Sequence, residues 1–89
     1  MGRIIKADGT SVEVSPANGR DYSYKELTKI VGGYIEIIPC KKAGDILVIN
    51  EEGKLENLPY NDEATLLANI FPLDYIVGDA LLCKDSEVR

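Results

Sequence analysis

The sequence predicts one α+β domain in which two short helices pack on a mostly antiparallel, curled β-sheet, in the order β-β-α-β-β-β-α-β. Three observations support this prediction. Two short strand-like segments flank an Asp-Gly pair, a helix-capping pattern follows, and apolar strand-like runs occupy the middle of the chain. Eighty-nine residues, 45% of them hydrophobic, correspond to a single domain. We expect that domain to cover residues 1–89, with residues 85–89 as a flexible polar tail.

The first element is a β-hairpin. Residues 3–7 and 10–15 form its strands, since Val12 and Val14 alternate with polar side chains. The intervening Asp8-Gly9 is typical of a type I′ turn, in which both central residues adopt positive φ.

A short helix begins after Ser23, which forms a capping box with Glu26. In this pattern the Ser23 side chain accepts the backbone N–H of Glu26, and the Glu26 side chain accepts the N–H of Ser23. Apolar residues follow at helical spacing, and Gly32-Gly33 predicts the end of the helix. Replacing Ser23 with alanine is expected to cost about 1 kcal/mol. Replacing Glu26 is expected to cost less, because it supplies only the reciprocal half of the box.

Three strands are predicted next. Residues 34–40 and 45–50 form the first two. Gly53 then suits a hairpin turn with a bulge. Residues 54–58 return as a shorter strand, which stops at Pro59 because proline cannot donate a hydrogen bond to a neighbouring strand.

The second helix begins at Asn61 or Asp62, runs to about Phe71 and is ended by Pro72. Its predicted inward-facing residues are Leu66, Leu67 and Ile70. Residues 75–84 form the last strand.

The central strands leave two arrangements of the sheet open. The predicted faces of the strand at residues 34–40 are Ile35 and Ile37 on one side, and Tyr34, Glu36 and Ile38 on the other. Residues 46–49 are apolar on both faces, although a sheet with one solvated face should alternate. Either the sheet curls into a partial barrel, or its second face is an interface with another chain. We therefore expect a homo-oligomer.

Net charge and apolar runs exclude several classes of protein. The chain has a net charge of −5 and a pI of about 4.6, which disfavours binding to a nucleic-acid polymer. The same acidic surface suits solubility or docking on a basic partner. The first residues lack the apolar segment of a secretory signal, and no apolar run approaches the roughly 18 residues of a membrane span. These features predict a cytoplasmic protein, in which Cys40 and Cys83 are buried thiols rather than a disulfide.

Little catalytic chemistry is available to this chain. It contains no histidine, which removes the common general base and the His-ligated metal sites, and two distant cysteines cannot form a Cys-rich zinc site. We expect no enzymatic activity, no metal and no cofactor. Glu36 and Asp79 are unusual because each lies within an apolar strand, where a carboxylate needs a partner. That partner is either Lys54 or a backbone N–H, or else these carboxylates face a ligand.

Four linked segments of the chain form a distinctive pattern: VGGYIE at residues 31–36, VINEEGKL at 48–55, LPYN at 58–61 and IVGDALL at 76–82. Over roughly residues 24–84 this pattern resembles the domain-of-unknown-function family 3846, small proteins of phages, plasmids and bacteria. The resemblance implies an accessory protein of a phage or mobile element and brings no established activity or catalytic residue. Within the pattern, Gly33 and Gly53 suit positions of positive φ, whereas Glu36, Asn61 and Asp79 suit a shared polar site.

Two functions are favoured at this point, ahead of a third, a hydrolase that would use carboxylates and Mg²⁺. In the first, the protein binds and inhibits a host protein, which in a phage or mobile element would be an anti-defence role. In the second, an oligomer sequesters a nucleotide signal, with Tyr34 or Tyr60 stacked on the base and a cation on the phosphate. The candidate ligand- or partner-binding residues are Tyr34, Glu36, Lys54, Tyr60, Asn61 and Asp79. Cations clustered beside tyrosines at a subunit boundary would favour the nucleotide.

Overall fold

The computed structural model describes residues 2–70 and 74–88. Its elements, in chain order, are β1 (Gly2–Ile5), β2 (Ser11–Val14), α1 (Tyr24–Val31), β3 (Ile35–Pro39), β4 (Asp45–Asn50), α2 (Asp62–Leu67), β5 (Ala80–Lys84) and a 3₁₀ helix (Asp85–Glu87). The five strands form one antiparallel sheet in the order β2-β1-β5-β4-β3. The predicted α+β class is confirmed. The sheet is open, with β2 and β3 at its two edges, rather than closed into a barrel.

The N-terminal hairpin forms with a different turn from the predicted type I′. Gly9 has φ of 95°, but Asp8 is not in the left-handed region. The Lys6 carbonyl accepts the Gly9 N–H at 3.1 Å, and the Lys6 N–H donates to the Thr10 carbonyl at 2.8 Å. This is the three-residue hairpin loop that ends in a glycine bulge, so positive φ is needed at only one residue.

The predicted capping box begins α1. The Ser23 hydroxyl accepts the Glu26 N–H at 3.2 Å, and the Glu26 carboxylate accepts the Ser23 N–H at 2.8 Å. Gly32 ends the helix with φ of 82°, and its N–H donates to the Thr28 carbonyl at 2.8 Å. The carboxylate of Glu26 also accepts the Ala17 N–H at 2.9 Å, so it holds the preceding loop as well as the helix.

The predicted strand at residues 54–58 is wrong, because residues 51–57 form consecutive turns. The Asn50 side chain organises this segment: it accepts the Glu52 N–H at 2.8 Å and donates to the Glu56 carboxylate at 3.1 Å. The Glu56 N–H also donates to the Glu52 carbonyl at 3.0 Å, and Asn57 turns the chain with φ of 56°. The backbone of this segment therefore bonds mostly within itself and to the adjoining residues Asn50 and Tyr34, and it does not form a strand ladder with β4.

Gly33 and Gly53 do not adopt the predicted positive φ. Instead, both lie where there is little space for a side chain. A Cβ atom on Gly53 would lie 2.9 Å from a Val77 methyl carbon. A Cβ atom on Gly33 would lie 3.1 Å from the side-chain nitrogen of Asn50. Gly53 therefore allows the turns at residues 51–57 to lie close to Val77, and Gly33 allows the end of α1 to lie close to the Asn50 side chain.

Helix α2 starts as predicted at Asn61, whose side chain caps it, but it ends at Leu67. The chain then becomes extended and pairs with the end of β3, where the Asn69 N–H donates to the Pro39 carbonyl at 2.8 Å. Leu67 and Ile70 pack against the core as predicted, whereas Leu66 is 71% exposed and the prediction for it is wrong. The predicted helix end at Phe71 and Pro72 lies outside the described residues.

The last strand, β5, is shorter than the predicted segment at residues 75–84. Gly78, with φ of 76°, separates it from an isolated bridge between Tyr60 and Val77. Residues 85–88, predicted as a tail, instead close against the start of α1. The Tyr22 N–H donates to the Glu87 carbonyl at 2.6 Å, and Glu87 is buried.

Both faces of the sheet are covered by the chain's own elements, which explains the doubly apolar β4. On one face α1 packs over a cluster that includes Ile46, Val48 and Cys83. On the other face α2 and the segment after it pack over a cluster that includes Leu47 and Cys40. The two cysteines are buried thiols, as predicted. They belong to the two clusters on opposite faces of the sheet. Self-association remains a prediction, and an uncovered sheet face no longer supports it.

Among the described residues, no helix has the length and apolar character needed to cross a membrane.

Candidate functional site

A cleft of about 160 Å³ lies on the α2 face of the sheet, above the edge strand β3 and its neighbour β4. Strand pairing places Glu36 and Ile38 of β3 beside Ile49 and Leu47 of β4 on that face. The turn segment after β4 and the segment before β5 form the other walls. The lining residues are Glu36, Ile38, Ile49, Asn50, Glu51, Lys54 and residues 74–77.

Lys54 is held at the mouth of the cleft by two partners. Its ammonium group forms a salt bridge with the Asp74 carboxylate and lies 4.3 Å from the centre of the Tyr75 ring. The hydrogen bond to Asp74 raises the pKa of Lys54. The same bond, together with the Tyr75 N–H, lowers the pKa of Asp74. Both side chains are about half exposed, so the pair orients Lys54 without contributing much stability.

Two tyrosines form a tyrosine rim at one side of the cleft: Tyr75 lines the cleft, and Tyr60, which is outside the lining, packs against Tyr75. The Tyr60 and Tyr75 ring centroids lie 5.6 Å apart with the ring planes tilted by 40°. Tilted pairs at this separation attract one another. Tyr60 is 49% exposed and Tyr75 is 42% exposed, so each ring presents a face or edge to solvent. A backbone bridge between Tyr60 and Val77 holds together the two segments that carry these rings.

Three of the six predicted site residues, Glu36, Lys54 and Tyr60, therefore lie at or beside this cleft. Glu36 is exposed rather than enclosed in the sheet, because β3 is an edge strand. The predicted pairing of Glu36 with Lys54 does not form, since Lys54 binds Asp74. Tyr34, at 65% exposure, precedes β3 and does not line the cleft, although its carbonyl accepts the Glu51 N–H at 2.8 Å.

Asn61 and Asp79 lie elsewhere and have structural partners. Asn61 is 1% exposed, and its amide donates to the Ile5 carbonyl at 2.9 Å and the Gly78 carbonyl at 2.8 Å. Asp79 accepts the backbone N–H of Ala7 at 3.1 Å, which was one of the two partners expected for it. These contacts account for both polar side chains within the fold, so we leave them out of the site.

Sequence reasoning missed Asp74 and Tyr75 as members of the site. Asp74 reaches Lys54 across 20 positions of the chain, and the two segments have no shared periodicity that would indicate their contact. Tyr75 belongs to the predicted last strand, but β5 begins only at Ala80. Tyr75 therefore precedes the strand, and its ring centroid lies 5.6 Å from that of Tyr60.

The cleft is acidic. Three carboxylates, those of Glu36, Glu51 and Asp74, face one cation, Lys54, which Asp74 already neutralises. Within residues 2–70 and 74–88, no three metal-ligating side chains are grouped to hold a metal ion. The carboxylates are therefore separate acceptors, an arrangement that suits a positively charged side chain.

Two further pockets lie outside this cleft. One, of about 270 Å³, is lined by Arg3, Asp45 and Lys84, and Lys84 binds Asp45 at 2.6 Å. Another, of about 220 Å³, lies between the β1–β2 turn and the start of α2. Arg3 spans from β1 to Glu63 of α2 at 2.8 Å. Neither pocket has an aromatic side chain in its lining.

The fold and site define a small antiparallel α+β domain with helices on both faces of its sheet and an acidic, tyrosine-rimmed cleft above one edge. The chain belongs to the family Domain of unknown function (DUF3846), whose family model matches residues 2–88. The resemblance drawn from the sequence is confirmed and extends over the N-terminal hairpin. Neither the comparison with curated proteins nor that with solved structures gives a match.

Proposed function

We propose that this protein is a non-enzymatic binding protein whose partner is another protein, held at the acidic cleft and its tyrosine rim. The observation that carries the proposal is the half-exposed Tyr60–Tyr75 pair beside three carboxylates. Tyrosine is enriched where protein partners bind, because a large apolar ring and a polar hydroxyl are presented with few rotatable bonds.

Size and charge favour a protein side chain over a nucleotide as the occupant. Pockets for small-molecule ligands usually span about 300–1,000 Å³, and this cleft has about 160 Å³. A phosphate would meet Glu36 and Glu51, whereas the one nearby cation is engaged by Asp74. An arginine or lysine side chain of a partner fits both the volume and the charge.

The family resemblance suggests the biological setting of this binding. In a phage or mobile element the partner would be a host defence protein, and binding would inhibit it in the cytoplasm. The net charge of −5 favours a basic surface on that partner by electrostatic attraction. Homo-oligomerisation remains a second proposal, which light scattering at micromolar concentration tests directly.

Site-specific photo-crosslinking in bacterial cells tests the proposed function. A photoreactive phenylalanine analogue replaces Tyr75 in one variant and Tyr60 in another. The matched control carries it at Tyr24, which is 58% exposed on α1 and distant in sequence from the cleft residues. We expect protein adducts of one defined mass at Tyr75 and Tyr60 and not at Tyr24.

Two results would overturn this proposal. The first is equal crosslinking at Tyr24 and Tyr75, which would indicate non-specific contact. The second is a small molecule retained by the purified protein in native mass spectrometry and lost in Tyr75→Ala, which would favour the nucleotide-binding alternative.

A further inference from the structure

The acidic cleft lies beside an unpaired backbone edge. Strand β3 pairs with β4 on one side only, and no other strand of the described chain pairs with its outer side between Ile35 and Ile37. Unpaired edges of this kind accept an added strand from another chain, which is a recurrent mode of peptide recognition.

The hydrogen bonds at both ends of β3 show which of its backbone groups are unpaired. The Tyr34 carbonyl accepts the Glu51 N–H, and the Cys40 N–H donates to the Asp45 carbonyl at 3.1 Å. Hydrogen-bonded pairs alternate along an antiparallel ladder, so the even-numbered residues of β3 bond to β4. The N–H and carbonyl groups of Ile35 and Ile37 consequently point to the free edge.

The outer edge of β3 is already paired at its C-terminal end, near Pro39. The Asn69 N–H donates to the Pro39 carbonyl, and the Lys41 N–H donates to the Leu67 carbonyl at 3.0 Å. Together they bracket an antiparallel bridge between Cys40 and Ala68. The outward groups near Pro39 are thus satisfied. Within residues 2–70 and 74–88, the four outward groups of Ile35 and Ile37 have no hydrogen-bond partner.

We propose that an extended segment of the partner protein adds to the free edge of β3 as a sixth strand, with a basic side chain over the cleft and an apolar residue on either side of it. This inference rests on the proposed function and names how the partner binds.

The side-chain alternation of strands gives the apolar–basic–apolar pattern. A residue opposite Glu36 projects to the α2 face, where Glu36, Glu51 and Asp74 line the cleft. Its two neighbours, opposite Ile35 and Ile37, project to the α1 face. Ile37 is 46% exposed there, and an apolar side chain of the added strand would cover it.

A second copy of this chain fits the edge poorly. Antiparallel pairing that satisfies Ile35 and Ile37 of both copies places Glu36 opposite Glu36, and like charges directly opposite destabilise a sheet. The charge of the cleft therefore selects a basic segment from a different protein.

Amide hydrogen exchange with a synthetic probe tests this binding mode. The probe is a blocked pentapeptide, Val-Arg-Val-Thr-Val, whose first valine lies opposite Ile37 because Asn69 occupies the edge beside Pro39. The control peptide has glutamate in place of arginine. At saturating probe we expect the amides of Ile35 and Ile37 to exchange at least about tenfold more slowly, because each gains a hydrogen bond. The outward amides of Ser11 and Glu13 on the β2 edge serve as the internal control and should not change.

Two variants separate the backbone contribution from that of the side chain. Ile37→Pro removes the outward N–H and leaves the hydrogen bonds between β3 and β4 intact. The strand already has a proline at position 39, which also faces the outer edge, so we expect proline to be tolerated at position 37. Ile37→Ala keeps the N–H and removes the apolar side chain. We expect the proline variant to bind the probe at least about fivefold more weakly than the alanine variant. Glu36→Lys should reverse the preference between the arginine and glutamate peptides.

Each outcome decides between the two proposals. No binding of the probe, or binding without slower exchange at Ile35 and Ile37, overturns strand addition. Equal affinities of correctly folded Ile37→Pro and Ile37→Ala, verified by circular dichroism, would do the same. If protein crosslinking at Tyr75 persists in those cases, the proposed function stands and only the binding mode fails. Loss of specific crosslinking at Tyr75 and Tyr60 removes the proposed function itself.

Discussion

Asn61 connects three segments of the chain through one buried amide. Its nitrogen donates to the carbonyls of Ile5 and Gly78, and its oxygen accepts the Ala64 N–H at 3.1 Å. Aspartate, which caps helices equally well, has no hydrogen to donate to the two carbonyls when ionised. Asparagine is therefore the side chain that can both cap α2 and hold β1 against the segment before β5.

Asn61→Ala should lower the free energy of unfolding by about 2–4 kcal/mol, because it leaves buried backbone groups without partners and removes a helix cap. Urea denaturation measures the change. Asn69→Ala is the control, since Asn69 is exposed and bonds through its backbone, and it should stay within about 0.5 kcal/mol of the parent. Equal effects of the two changes would contradict the role of the Asn61 amide.

Glu36 and Asp79 look alike in sequence and differ in structure. Asp79→Ala should cost about 1 kcal/mol, the usual value of one hydrogen bond, because the Ala7 N–H loses its acceptor. Glu36→Gln should change stability by less than about 0.5 kcal/mol, since Glu36 is exposed. Chemical denaturation of the two variants in parallel tests this difference. A large loss in Glu36→Gln would assign Glu36 a structural role and remove it from the site.

At the scale of elements, the capping box of α1 gives Glu26 more hydrogen bonds than Ser23. The sequence led us to expect the smaller stability loss for the Glu26 variant, and the structure leads us to expect the reverse. Glu26 accepts the N–H groups of both Ser23 and Ala17, whereas Ser23 accepts one N–H. Ser23→Ala should cost about 1 kcal/mol, and Glu26→Ala should cost at least as much. Thermal and urea unfolding measure both, with exposed Lys25→Ala as the control. A smaller loss for Glu26→Ala would mean that its bond to the loop adds nothing.

The elements predicted correctly are those with local chemical signals. The Ser23–Glu26 box, the Gly32 cap and the Asn61 cap each depend on contacts within a few residues, so their patterns are visible in the chain. The strand predicted at residues 54–58 failed because the Asn50 side chain reorganises the backbone after β4. Helix α2 is shorter than predicted because Ala68 bridges Cys40, a contact with no local signal.

The candidate site was predictable only in part for the same reason. Local features of the sequence indicated three of the site residues. These were a charge within a strand (Glu36), a cation after a turn (Lys54) and a tyrosine beside a proline (Tyr60). Their relation to Asp74 and Tyr75 depends on how the segment before β5 packs across the sheet edge. Side-chain chemistry indicated candidates, and tertiary packing decided which of them meet.

At the scale of the whole molecule, one cluster buries two groups that ionise in alkali. Burial raises the pKa of the Cys83 thiol to about 12, with a further contribution from the charge of Glu87. Burial likewise raises the pKa of the Tyr22 hydroxyl to about 12. In the unfolded chain these groups release their protons near their ordinary values of 9.0 and 10.0, so above those values the unfolded state binds fewer protons.

Stability should therefore be fully present below about pH 9 and should fall as the pH rises toward about 12. The melting temperature measured across this range checks the direction. Cys83→Ala removes one of the two groups, so its melting temperature should start lower because of the lost packing but decline less steeply with pH. A decline as steep as that of the parent would show that Cys83 does not contribute to the alkaline loss.

The order of the strands has a consequence for synthesis. The last strand made, β5, lies at the centre of the sheet between β1 and β4, which belong to hairpins made earlier. On the ribosome each hairpin can form as it emerges, but neither can join the other until residue 84 is released. During that interval the β1–β2 and β3–β4 hairpins each have an unpaired edge, on β1 and on β4, that only β5 will cover. Unpaired edges of this kind associate readily with other chains.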